Sequence, residues 1–91
     1  MNNRQALALA LRKIRKARKL TQEDFGVVSS RTYLSSLERG LKSPTLEKLE
    51  AIADVMGVHP ATLILVTFAI AEDGDAFTII DDIARAAKEL L

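Results

Sequence analysis

Between Ser29 and Gly40 the chain reads SSRTYLSSLERG, and this stretch fixes one element more tightly than any other. Ser30 is a preferred N-cap, Gly40 suits a left-handed C-cap, and Leu34 and Leu37 fall three apart on one face between them. The spacing predicts a short helix over residues 31–39 that buries its two leucines. The free face then carries Arg31, Thr32, Ser35, Ser36 and Arg39, groups that hydrogen-bond without being bulky.

The flanking chain supplies further helices. Leu7, Leu11 and Ile14, with Ala10 and Ala17 beside them, recur at helical spacing and predict an amphipathic helix over residues 3–18, with Arg12, Lys13, Lys16 and Lys19 on its solvent face. TQED from Thr21 to Asp24 reads as a capping box, in which the Thr21 hydroxyl takes the Asp24 amide and the Asp24 side chain reaches back. Leu20 and Phe25 sit at staple spacing across it. This second helix is short, because Gly26, Val27 and Val28 are poor helix formers and two serines follow. Gln22 lies in its first turn, where free amides favour an anion.

Thr45 caps a fourth helix over residues 46–56, which Gly57 closes. His59 and Pro60 open a fifth, with the histidine read as a cap or surface residue. From Leu63 to Ile70 the fifth helix is apolar nearly all round. After the break at Glu72 to Asp75, a sixth helix over residues 76–90 carries Phe77, Ile80, Ile83, Ala84, Ala87 and Leu90. That stripe is too wide for one intramolecular contact. The pattern predicts a subunit interface formed by Phe68, Phe77, Ile80, Ile83, Ala84, Ala87 and Leu90, in preference to a hairpin satisfied within one chain. The expected layout is residues 1–65 as the main unit, with residues 66–91 as an oligomerisation extension of the same domain.

Composition excludes several functions. There is no cysteine and a single histidine, His59, so neither thiolate chemistry nor a histidine metal cluster can be built from one chain. No nucleophile with a base, paired catalytic carboxylates or phosphate-cradling glycine loop occurs, so neither an enzyme nor a cofactor or metal site is expected. Glu72, Asp73, Asp75, Asp81 and Asp82 lack the spacing of a calcium loop and read as caps and solubilising groups. The most apolar run, Ala61 to Ala71, is 11 residues, against roughly 20 for a bilayer span. The N-terminus lacks the charge order of a secretory signal, and the expected location is cytoplasmic, at the nucleoid.

Charge is unevenly distributed. Residues 1–42 hold ten lysines and arginines against three acids; residues 43–91 hold three against nine, and the net charge of +1 hides this split. A basic first half suits a polyanion, although ordinary solvated surfaces account equally well for charge alone.

Three strings, RKIRKARKLTQED, SRTYLSSLERG and SPTLEKLEAIADVMGV, together resemble the helix-turn-helix domain of the phage repressor and Cro family, also called XRE. The resemblance runs from Leu7 to Leu63 and implies an all-α, lambda-repressor-like five-helix domain, here with an additional C-terminal helix. Members commonly have a longer segment before the reading helix, which implies a trimmed second helix and a tighter turn at residues 26–29. By the resemblance, Arg31, Thr32 and Ser36, with Ser35 as a lesser candidate, touch base edges. Gln22, Tyr33, Arg39, Lys42 and Ser43 meet phosphates, and Arg15 pairs with Glu38 as a structural lock. Arg31 is the strongest specific contact, because a guanidinium can donate twice to guanine. The implied function is sequence-specific binding of double-stranded DNA at an inverted-repeat operator by a homodimer or higher oligomer, acting as a repressor. Two other readings remain open: an antitoxin-like regulator gripping a toxin protein, and an interaction module that no longer binds DNA.

Overall fold

The computed structural model describes residues 1–91, which form five α-helices and one turn of 3₁₀ helix, with no strand. Helix α1 spans Asn3–Ala17, the 3₁₀ turn Gln22–Phe25, α2 Arg31–Glu38, α3 Leu46–Met56, α4 Pro60–Glu72 and α5 Ala76–Leu90. The sixfold pattern of elements read from the sequence is therefore present, and the second of the six is shortened to a single 3₁₀ turn.

Local chemistry sets most of the ends. Asn2 Oδ1 accepts the Gln5 amide at 2.9 Å and the Asn2 amide donates back to Gln5 Oε1 at 3.1 Å, a reciprocal cap on α1. Ser30 Oγ accepts the Tyr33 amide and Thr45 Oγ1 the Lys48 amide. His59 Nδ1 accepts the Ala61 amide at 2.9 Å, ahead of Pro60 at the first helical position. Asp75 Oδ1 accepts the Phe77 amide at the start of α5. Gly40 and Gly57 hold φ of +73° and +71°, the left-handed conformation that ends α2 and α3.

The expected capping box at Thr21 is present, between the Thr21 side chain and the Asp24 amide and between the Asp24 side chain and the Thr21 amide. Asp24 Oδ2 accepts both the Thr21 amide, at 2.7 Å, and the Thr21 hydroxyl, at 3.2 Å, while the Asp24 amide turns to the Thr21 carbonyl. The hydroxyl thus also donates to the carboxylate, and the Asp24 amide is shared with the Thr21 carbonyl in a 3₁₀-type bond.

The core brings together Ala10 and Leu11 of α1, Phe25 of the 3₁₀ turn, Leu34 and Leu37 of α2, Ile52 and Met56 of α3, and Leu63 of α4. Every element but α5 contributes. Burial of each large side chain is worth about 1.5–3 kcal/mol, so this cluster is what carries the short elements. Helix α1 packs on α4 and α2, and α3 packs on α4.

Helix α4, apolar on all sides, buries fully only Leu63 and Thr67, whose hydroxyl donates to the Leu63 carbonyl at 2.8 Å. Helix α5 packs on α4 and has no buried residue. Phe77 is 83% exposed and Leu90 84%. The radius of gyration, 13.4 Å, exceeds the roughly 12 Å of a compact chain of this length, consistent with one helix left outside the core. No single helix is long and apolar enough to cross a membrane.

Candidate nucleic-acid interface

The reading helix is set by a clasp at its rear. Arg15 of α1 donates from Nε and Nη2 to the two carboxylate oxygens of Glu38, at 2.7 and 2.9 Å, and from Nη1 to the Leu20 carbonyl at 3.0 Å. One side chain therefore joins α1, the loop before the 3₁₀ turn and the last residue of α2. Both partners are largely enclosed, Arg15 at 13% and Glu38 at 5% side-chain exposure. The hydrogen bond to Glu38 raises the Arg15 guanidinium above its ordinary value and outweighs the opposing effect of burial, so the cation is held firmly.

Gln22 completes the clasp, its amide nitrogen donating to Glu38 Oε1 at 3.2 Å. The bond uses one of the two N–H donors of the half-buried Gln22 amide, and the other is left for the phosphate contact that the resemblance implies.

Ser36 departs from its expected place on the free face. It is only 7% exposed and faces inward, so it does not stand on the free face of α2. Helical spacing from Leu34 and Leu37 marks one buried stripe, whereas in α2, which packs on α1 and the 3₁₀ turn, three consecutive residues, Ser36, Leu37 and Glu38, are buried. What projects is the first turn. Arg31 and Thr32 are exposed, and Tyr33 and Ser35 are half-buried.

Arg31 Nη1 lies 3.6 Å from Glu23 Oε1, with both side chains about three-quarters exposed. Such a pair is worth under about 1 kcal/mol, so the guanidinium is free to exchange this carboxylate for another acceptor. Arg39 caps the far end of α2 and shares with Arg12, Gln5 and Met1 a cleft of about 500 Å³. Lys42 and Ser43 are exposed in the loop after Gly40. Arg4 Nε donates to Ser43 Oγ at 3.3 Å, bringing a further cation to that loop.

The Tyr33 ring has two ammonium groups over it, Lys42 Nζ at 5.6 Å and Lys48 Nζ at 5.3 Å from the centroid. Neither Arg4 nor Lys48 stands out in the sequence, where Arg4 opens an ordinary amphipathic helix and Lys48 belongs to the polar side of α3. Nothing in their spacing signals a long-range partner. No group of three or more His, Asp or Glu side chains converges to hold a metal ion.

A short exposed helix, locked from behind and preceded by a tight turn from another helical element, defines a helix-turn-helix unit. The comparisons with known proteins agree. A family model described as helix-turn-helix (HTH_3) matches residues 11–63, more than half of the chain. The chain is 38% identical over 56 residues to the immunity repressor protein of Bacillus phage phi105, a match covering 59% of this chain and 39% of that protein's length. It is 36% identical over 69 residues to the uncharacterized HTH-type transcriptional regulator y4dJ of Sinorhizobium fredii, covering 74% of this chain and 90% of the relative. Among solved structures, the clp gene regulator ClgR from Corynebacterium glutamicum superposes with a TM-score of 0.71 and 28% identity, over 94% of this chain and 90% of that one. The protein belongs to the XRE-type helix-turn-helix family of transcriptional regulators.

Proposed function

We propose that this chain is a sequence-specific DNA-binding regulator that represses by occupying an inverted-repeat operator. The observation that carries the reading is the first turn of α2, exposed at Arg31 and Thr32 and locked from behind by the Arg15–Glu38 clasp. Arg31 reads a base edge, with guanine the best match for its two parallel donors, and Thr32 offers a methyl to thymine or a hydroxyl to an acceptor. Ser35 is the lesser contact. Arg39, Lys42 and Ser43 hold phosphates, joined by Arg4 through its place beside Ser43, while Tyr33 stacks under the lysines at the rim.

One reading turn sees too few bases to select a site in a genome, and a symmetric dimer doubles it. The uncovered face of α5 is the natural seam. Phe77, Ile80, Ala84, Ala87 and Leu91 follow a heptad spacing, large at the start and small in the middle. Antiparallel pairing of two α5 helices sets Phe77 and Ile80 against the partner's Ala87 and Ala84, and brings Asp81 toward the partner's Lys88. Parallel pairing would place alanine on alanine and leave gaps. Ile83, Leu90 and Phe68 of α4 flank this seam.

Selection of bound duplexes from a random pool tests the reading. The expected product is an inverted repeat with half-sites about one helical turn, roughly 34 Å, apart. A pool that fails to enrich any sequence contradicts it.

A further inference from the structure

Residues 26–29 join the 3₁₀ turn to α2, and their backbone determines where the reading helix begins. Val28 N and Ser29 N both donate to the Phe25 carbonyl at 3.0 Å, which curls the segment on itself. The bond that ties it to α3 comes from Lys48, whose Nζ donates to the Val28 carbonyl at 2.9 Å. The same ammonium lies 5.3 Å from the centre of the Tyr33 ring. A single side chain of the scaffold thus holds the backbone just before the Ser30 cap and the third residue of α2.

The neighbouring lysine shows the contrast. Lys42 is exposed and makes no hydrogen bond within the chain, whereas Lys48 is half-buried with a committed donor. A lysine ammonium is strongly hydrated, and giving up part of that hydration for a neutral carbonyl is repaid only if the bond is held. Lys42 keeps all its N–H donors for a phosphate, whereas Lys48 is held in place by the bond that one of its three donors makes to Val28.

We infer that Lys48 is a positioning residue for recognition: it sets the angle at which the first turn of α2 is presented, and so governs base discrimination without itself contacting a phosphate. The inference rests on the DNA-binding reading for its functional half, and its structural half stands apart from that reading.

The test compares the wild-type chain with Lys48→Met and Lys42→Met on a selected operator duplex and a scrambled duplex, across a salt series. Lys48→Met keeps the aliphatic stem and removes the donor. The expected result is a loss of about tenfold in the ratio of operator to scrambled affinity, with the salt slope on scrambled DNA unchanged. Lys42→Met should instead weaken both duplexes alike and flatten the slope by about 0.9 for each phosphate that the lysine had neutralised. Lys48→Met behaving like Lys42→Met, or leaving the ratio intact, overturns the inference.

Hydrogen exchange supplies an arm that needs no DNA. In Lys48→Met the hydrogen-bonded amides of Val28, Ser29 and Tyr33 should exchange about tenfold faster while those around Ile52 and Leu63 keep their protection. Unchanged exchange at Val28, Ser29 and Tyr33, or a uniform rise throughout the chain, overturns the inference even if the wild-type protein binds no duplex and the DNA-binding reading itself fails. Should Lys48→Met not fold, Lys48→Gln, whose shorter side chain also gives up the bond, is expected to show the same selective loss.

Discussion

Arg15 and Glu38, separated by 23 positions in the chain, meet as a bidentate pair at 2.7 and 2.9 Å and fix α2 to α1. Removing the cation would strand a carboxylate that is 5% exposed. Arg15→Ala is therefore expected to cost about 3 kcal/mol, read as a fall of roughly 2 M in the urea midpoint. Arg85→Ala, which breaks an exposed pair with Asp81, should cost under about 0.5 kcal/mol. The contribution has a definite pH sign: a cation held above its ordinary value stabilises fully below that value and loses its effect only as strong alkali deprotonates it. Urea midpoints at mildly acidic and mildly basic pH should thus show the same Arg15→Ala deficit.

The inward placement of Ser36 separates two residues that sequence reasoning grouped together. Ser36→Ala should leave affinity for a selected duplex within about twofold, while Arg31→Ala should weaken it by at least about tenfold. Fluorescence anisotropy of a labelled duplex measures both.

Lys19 holds φ of +59° just beyond the end of α1, where its amide donates to the Lys16 carbonyl and that of Leu20 to Arg15. A side chain in this conformation costs about 1–2 kcal/mol, so Lys19→Gly should raise stability by about 1 kcal/mol and the melting temperature by roughly 4–8 °C. Calorimetry checks this. Gly57→Ala, at a φ of +71°, should move the melting point the opposite way.

An exposed apolar helix predicts self-association. The wild-type chain should sediment as a dimer or larger species at micromolar concentration, and Ile83→Asp should release the monomer by placing a charge in the α5 seam. A wild-type monomer, indifferent to Ile83→Asp, removes the interface from the account.

Much of this architecture is legible in one sequence because its punctuation is local. Ser30, Thr45 and His59 each cap within three residues, and Gly40 and Gly57 end their helices through a backbone conformation that the residue type announces. The Arg15–Glu38 pairing follows from family resemblance rather than from spacing. Less visible is what depends on neighbours distant in sequence. Periodicity marks Leu34 and Leu37 as one buried face of α2 but gives no sign that Ser36 is buried as well. Gln22 sits where an anion would bind, and its second role, a bond to Glu38, has no signal in the spacing. Lys48 has the spacing of a solvated residue, and only the folded chain brings it to Val28. The apolar excess of α5 is plain in the sequence, and in the structure none of it is fully buried, although Ile80, Ile83 and Ala84 border a groove against α4.

The salt dependence of duplex binding tests the central claim most directly. With Arg39 and Lys42 of two subunits on phosphates, the logarithm of the affinity for a selected duplex should fall against the logarithm of salt concentration with a slope steeper than about −3, and Arg31→Ala should lower the preference for that duplex over a scrambled one. A slope near zero, or no binding at low salt, would contradict the account.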